Sequence, residues 1–182
     1  MGETTVAGEV ADALGSVGGT NGRGSSLWPR THWLENPNGW RRVAQTRLSP
    51  HFALSEFATH DGTQVPPDLV PEYARLCRNV LEPLRERFGV CRVVSGYRHP
   101  SYNRAIGGAR RSVHMGGRGG GIRGVAADVR FDKGSTVDWG RAAEPLLAKW
   151  YPPGGGLGIY PGARGWIHVD TRGYRARWRG VG

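Results

Sequence analysis

Between Leu69 and Phe88, apolar side chains return every three or four residues, at Leu69, Tyr73, Leu76, Val80, Leu84 and Phe88. That period is one face of a helix, and Gly89 supplies its stop. Pro83 falls inside the run and is expected to kink or divide it. The stretch VCRVVS at 90–95 is short, β-branched and bounded by turns, so it predicts a strand, and VAADVRF at 125–131 predicts another. Residues 137–150 again carry a helical pattern. LGIY at 157–160 and WIHVD at 166–170 predict two further strands across a Pro-Gly turn. Strands and helices in this order predict an α+β fold, a small antiparallel sheet flanked by helices.

The first 47 residues follow neither period. Residues 1 to about 26 are rich in Gly, Ser and Thr, and Trp28, Trp33 and Trp40 then sit among prolines and arginines. We read 1–47 as an extended arm that orders against a partner and a Trp-rich strap that lies across the domain or an interface, and 48–182 as the folded domain. The start MGETTVAGEVADALGSVGG has neither a cationic n-region nor a continuous apolar core, so no secretory signal is expected. No apolar run is long enough to span a bilayer.

Composition adds turns and charge. The chain of 182 residues holds 30 glycines and carries a formal net charge of +10. Nearly all of the excess is arginine, since Lys133 and Lys149 are the only lysines. Arginine suits carboxylate or phosphate partners, but a general arginine bias gives the same balance. Charge therefore fits wall polymer, nucleic acid and protein surfaces alike. The C-terminal YRARWRG, with arginine and aromatic residues interleaved, gives nucleic acid a minor claim. Cys77 and Cys91 form no C-x-x-C pair, which argues against a cysteine zinc site. They are read as buried free thiols, with a bridge as the alternative.

Of the histidines, His32, His51 and His60 have surroundings typical of surface or core residues. His114 and His168 differ. His114 adjoins a glycine-rich loop. Asp128 lies on a strand among small residues, where a carboxylate needs a cation or several donors. His168 and Asp170 share one face of a strand by alternation. Two histidines and an aspartate from separate segments can make a three-ligand zinc site with one position open.

The order SGYRHPSYN (95–103), IGGARRSVH (106–114), GVAADV (124–129) and GIYPGARGWIHVDTRG (158–173) resembles the M15 peptidases, as does the opening LSPHFALSEFATHDGT. These are zinc D-Ala-D-Ala carboxypeptidases and L-alanyl-D-glutamate endopeptidases acting on peptidoglycan. The resemblance covers about residues 48–178. It implies an M15/hedgehog-like fold, with Zn²⁺ held by His114, Asp128 and His168. It further implies that Ser112 places substrate, that Arg98 stabilises the oxyanion, and that Tyr97 and Asn103 shape the cleft. Bacterial peptidoglycan is then the partner. Without a signal, the protein is expected to reach the wall from the host cytoplasm at lysis, or on a virion whose tail or capsid proteins bind residues 1–47.

Two departures stand out. The family pattern S-x-H-x-x-G-x-A-x-D has a much shorter step than the fourteen residues from His114 to Asp128. The additional residues fall in MGGRGGGIRG, 115–124. Many relatives also carry an acid three residues before the last histidine, where this chain has Gly165. Asp170 is left either to orient His168 or to act as the general base. The alternative to an active peptidase is a weakened or inactive domain that serves as a component of a phage particle.

Overall fold

The computed structural model describes residues 46–180. The arm and strap expected at 1–47 lie almost wholly outside the described residues. Five strands form the sheet: β1 (Cys91–Ser95), β2 (Ala126–Phe131), β3 (Gly156–Tyr160), β4 (Trp166–Asp170) and β5 (Ala176–Arg179). Four α-helices accompany it: α1 (Val70–Leu76), α2 (Glu82–Phe88), α3 (Pro100–Ala105) and α4 (Thr136–Trp150). The α+β class is as expected, and four strands fall within a residue of their expected bounds.

The long apolar period is one run of helix in three parts. A π turn, Cys77–Leu81, joins α1 to α2 and delivers the chain to Pro83. Proline has no N–H for the interior of an α-helix, and a widened turn absorbs that loss within the helix. Helix α4 begins at a capping box. The Ser135 hydroxyl accepts from the Asp138 amide while the Asp138 carboxylate accepts from the Ser135 amide.

The strand order is β1-β2-β4-β3-β5, antiparallel except for β5, which runs parallel to β3. The sheet is thus mostly antiparallel, as expected, with one parallel pairing at this edge strand. The edge strand is built from the YRARWRG segment, whose polar pattern with one tryptophan carries no strand signal. Arg175 and Arg177 there pair with Glu144 of α4.

Alternation divides the sheet into two faces. Ala127, Val129, Leu157, Ile167 and Val169 are buried with Tyr73, Leu76, Val80, Leu84 and Leu147 of the helices, making the core. On the opposite face the register sets one row straight across the sheet: Ser95, Asp128, His168, Gly158 and Trp178. The next row sets Asp170 beside Gly156. The two glycines of β3 make these rows possible. A Cβ on Gly158 would lie 2.7 Å from Cζ2 of Trp178, and one on Gly156 would lie 2.6 Å from Oδ1 of Asp170. Gly158→Ala is therefore expected to push Trp178 off the sheet. Near-UV circular dichroism should change, and urea unfolding should show a loss of about 1–3 kcal/mol.

Candidate metal centre

His114 comes to the row from outside the sheet. It sits in a single 3-10 turn, Val113–Met115, capped by Ser112, whose hydroxyl accepts from the His114 amide at 3.3 Å. Residues 96–98 hold this turn. The Arg98 amide donates to the His114 carbonyl at 2.9 Å, and His114 Nδ1 bonds the Gly96 carbonyl. A carbonyl only accepts, so Nδ1 carries the proton and Nε2 of the neutral ring offers a lone pair. Gly96 itself is packed where no side chain fits, because a Cβ there would lie 2.6 Å from the Phe57 carbonyl oxygen.

Three ligand atoms converge. His114 Nε2 lies 3.2 Å from His168 Nδ1 and 3.3 Å from Asp128 Oδ2, and His168 Nδ1 lies 2.9 Å from Asp128 Oδ1. All three residues are buried. Zinc bonds of about 2.0–2.2 Å put neighbouring tetrahedral ligands roughly 3.3 Å apart, so the spacing fits a metal with only small adjustment. The donor set also fits, because two imidazole nitrogens and one carboxylate oxygen leave a further position facing the cleft.

Electrostatics point the same way. Burial works against the Asp128 charge, yet His114 and His168 hold its carboxyl well below the usual range. Arg98 Nη2 adds an ion pair at 2.7 Å and is itself fixed by its Nε bond to Ser95 Oγ at 2.8 Å. Burial pushes the His114 pKa down. Burial disfavours charge on His168 too, but its bonds to Asp128 and Asp170 outweigh that and push it up to about 9. In effect a proton on His168 sits where a metal cation can sit.

Asp170 takes one of the two places open to it. It lies behind His168, with Oδ2 2.8 Å from Nε2, and it is fully buried. Its Oδ1 accepts from the Gly156 and Arg172 amides at 3.0 Å each, and Arg172 Nε donates to it at 2.9 Å. Both oxygens are engaged away from the cleft, so of the two roles the sequence leaves open the arrangement suits an orienting partner of His168. Position 165 offers no alternative, since a Cβ there would lie 2.6 Å from the Tyr160 carbonyl oxygen.

The cleft over the three ligands has a volume of about 420 Å³. Arg98 and Ser112 line it. Tyr97 and Asn103 do not, which corrects their expected place in the cleft wall. In an extended segment neighbouring residues point opposite ways, so Arg98 faces the cleft while Tyr97 is buried in the core. Asn103 is also buried and donates to the Ala109 carbonyl at 3.1 Å, so it reaches the cleft only through Ala109.

Sequence reasoning missed an aromatic wall. Tyr160, Trp166 and Trp178 line the cleft, with Tyr160 and Trp166 stacked 4.7 Å apart. The Trp178 indole donates to the Tyr160 hydroxyl at 2.9 Å and lies 5.0 Å from the His168 ring, centre to centre. The only signal for Trp178 is its place among the arginines of the C-terminal segment, and the parallel pairing of β5 with β3 is what brings it to the site.

The family model described as Peptidase M15 matches residues 50–170. The chain belongs to the peptidase M15 family. Comparison with curated proteins and with solved structures gives no match. The matched span includes all three ligand candidates, and membership makes zinc the metal that the centre suits best. Cys77 and Cys91 are both buried free thiols. Among the described residues, no helix is long and apolar enough to cross a membrane.

Asp170→Asn keeps the shape at the back of His168 and removes the charge. The expected result is zinc affinity lowered about 10–100-fold, measured by competition with a chromophoric chelator. Unchanged affinity with lost turnover would return Asp170 to the role of base.

Proposed function

We propose that this M15 family member is a zinc-dependent peptidase of peptidoglycan stem peptides, acting as a D,D-carboxypeptidase or an endopeptidase. The observation that carries the reading is the buried His114–Asp128–His168 cluster at the floor of an open cleft. Zinc, when bound, supplies Lewis-acid chemistry that polarises a carbonyl and acidifies water. His114 and His168 hold it through nitrogens fixed by Gly96 and Asp170. Arg98 stands beside Asp128 with its guanidinium on the cleft wall, placed to stabilise negative charge growing on a substrate carbonyl oxygen. Ser112 holds the His114 turn and faces the substrate.

Arg111 and Arg172 also line the cleft, and such a basic rim suits an anionic wall. Delivery at host lysis, or on a particle that engages residues 1–47, belongs to the same reading. A second reading, a catalytically weakened domain serving as a structural part of a phage particle, is favoured by one observation. Asp128 is the only carboxylate lining the cleft among the described residues, and it is committed to the metal ligands and Arg98. Loss of a general base costs about 10²–10⁴-fold in rate.

Zinc analysis of the purified protein, followed by digestion of purified peptidoglycan and its stem peptides, separates the two. The first reading expects one zinc per chain and cleavage that disappears in His168→Ala. Arg98→Gln should lower kcat by about 10²–10³-fold while retaining zinc. Bound zinc without cleavage favours the second reading, and a zinc-free, inactive protein overturns the first.

A further inference from the structure

The glycine-rich segment between His114 and Asp128 has no part in holding the metal, yet it is neither loose nor remote. The Gly116 amide donates to the Val113 carbonyl at 2.9 Å, the Gly117 amide to the Ile122 carbonyl at 3.1 Å, and the Gly121 amide to the Arg118 carbonyl at 2.8 Å. These bonds fold the segment back on itself. Its far end is tied to the residue that follows β4, where Val125 and Thr171 exchange two bonds of 3.0 Å each. Arg118 Nη2 also reaches both oxygens of Asp68, at 2.6 and 2.8 Å, just before α1.

Close packing fixes the segment more firmly than that exposed ion pair can. Gly121 lies so near the His114 turn that a Cβ would stand 2.7 Å from the Ser112 carbonyl oxygen and 2.9 Å from Met115 Cβ. Gly119, at φ +56°, lies against Pro100 of α3, 2.7 Å from where a Cβ would be. Met115 beneath them is buried. The segment is thus wedged between the ligand turn and the start of α3. It presents one side chain to the cleft, Ile122, which joins Ala109 and Val113 as an apolar patch in a wall otherwise aromatic, charged or polar.

We propose that residues 116–124 form a fixed wall of the cleft and that Ile122 is a specificity-determining residue. It would restrict the substrate side chain that enters beside it to a small apolar group. The specificity claim rests on the peptidase reading, whereas the claim of a fixed wall does not.

Hydrogen exchange on the intact protein tests the wall without reference to activity. The Gly117 and Gly121 amides should exchange at least about tenfold more slowly than in an unfolded chain, both with zinc and without it. Gly121→Val should remove that protection. Exchange at the unfolded rate in the unaltered protein overturns the wall. Specificity is tested with two synthetic stem peptides that differ only in alanine or leucine beside the cleaved bond. Both turnover by the zinc-loaded protein and calorimetric binding to the zinc-free protein are measured.

The unaltered protein should prefer alanine, and Ile122→Ala should narrow the preference by about tenfold or more, with zinc content unchanged. Ile122→Trp should shift it the other way. A preference that neither substitution moves, in turnover or in binding, overturns the role of Ile122. A protein that binds and ranks the peptides but cleaves neither counts against the peptidase reading and leaves the assignment of Ile122 standing.

Discussion

A carboxylate buried on a central strand must be matched by positive charge or strong donors. Asp128 is that carboxylate, and much of the described structure is arranged around it. Arg98, held by Ser95 of β1, meets it from the loop after that strand, His168 from the neighbouring strand, and His114 from a capped turn outside the sheet. Each of these groups is held by another. Gly96 fixes His114, Asp170 fixes His168, and Arg172 with two backbone amides fixes Asp170. Such layered support is what a metal centre needs for its ligands to stay in place.

The support works because two kinds of backbone economy coincide on one face. Register places Asp128, His168, Gly158 and Trp178 in one line, and glycine at two points of β3 leaves room for the bulk on either side. The opposite face is plainly apolar and carries the helices. Stability and chemistry are therefore separated by the pleat of a single sheet, and a residue's parity along the strand decides which it serves.

Parity also explains what is legible in the sequence. The alternation in WIHVD is enough to put His168 and Asp170 on one face, and the helical period from Leu69 to Phe88 is there as expected, with Pro83 absorbed by a π turn. Tyr97 and Asn103 depart from expectation because a motif gives the order of residues and not the direction each one points. Asp170 is undecided in the sequence for a related reason: sharing a face with His168 places it near the ring but does not say on which side. Strand β5 and its tryptophan are invisible there because a parallel edge strand is set by its neighbour rather than by its own pattern. The glycines of 115–124 show in the sequence only as a glycine-rich loop, yet several serve close packing.

Every role assigned around the cleft depends on His114, Asp128 and His168 together binding one zinc ion. X-ray absorption spectroscopy of the zinc-loaded protein tests it directly. The expected spectrum is one four-coordinate zinc with two imidazole nitrogens and oxygen ligands at about 2.0–2.2 Å, with imidazole scattering reduced in His114→Ala. Zinc held by other ligands, or a spectrum indifferent to that substitution, would contradict the account.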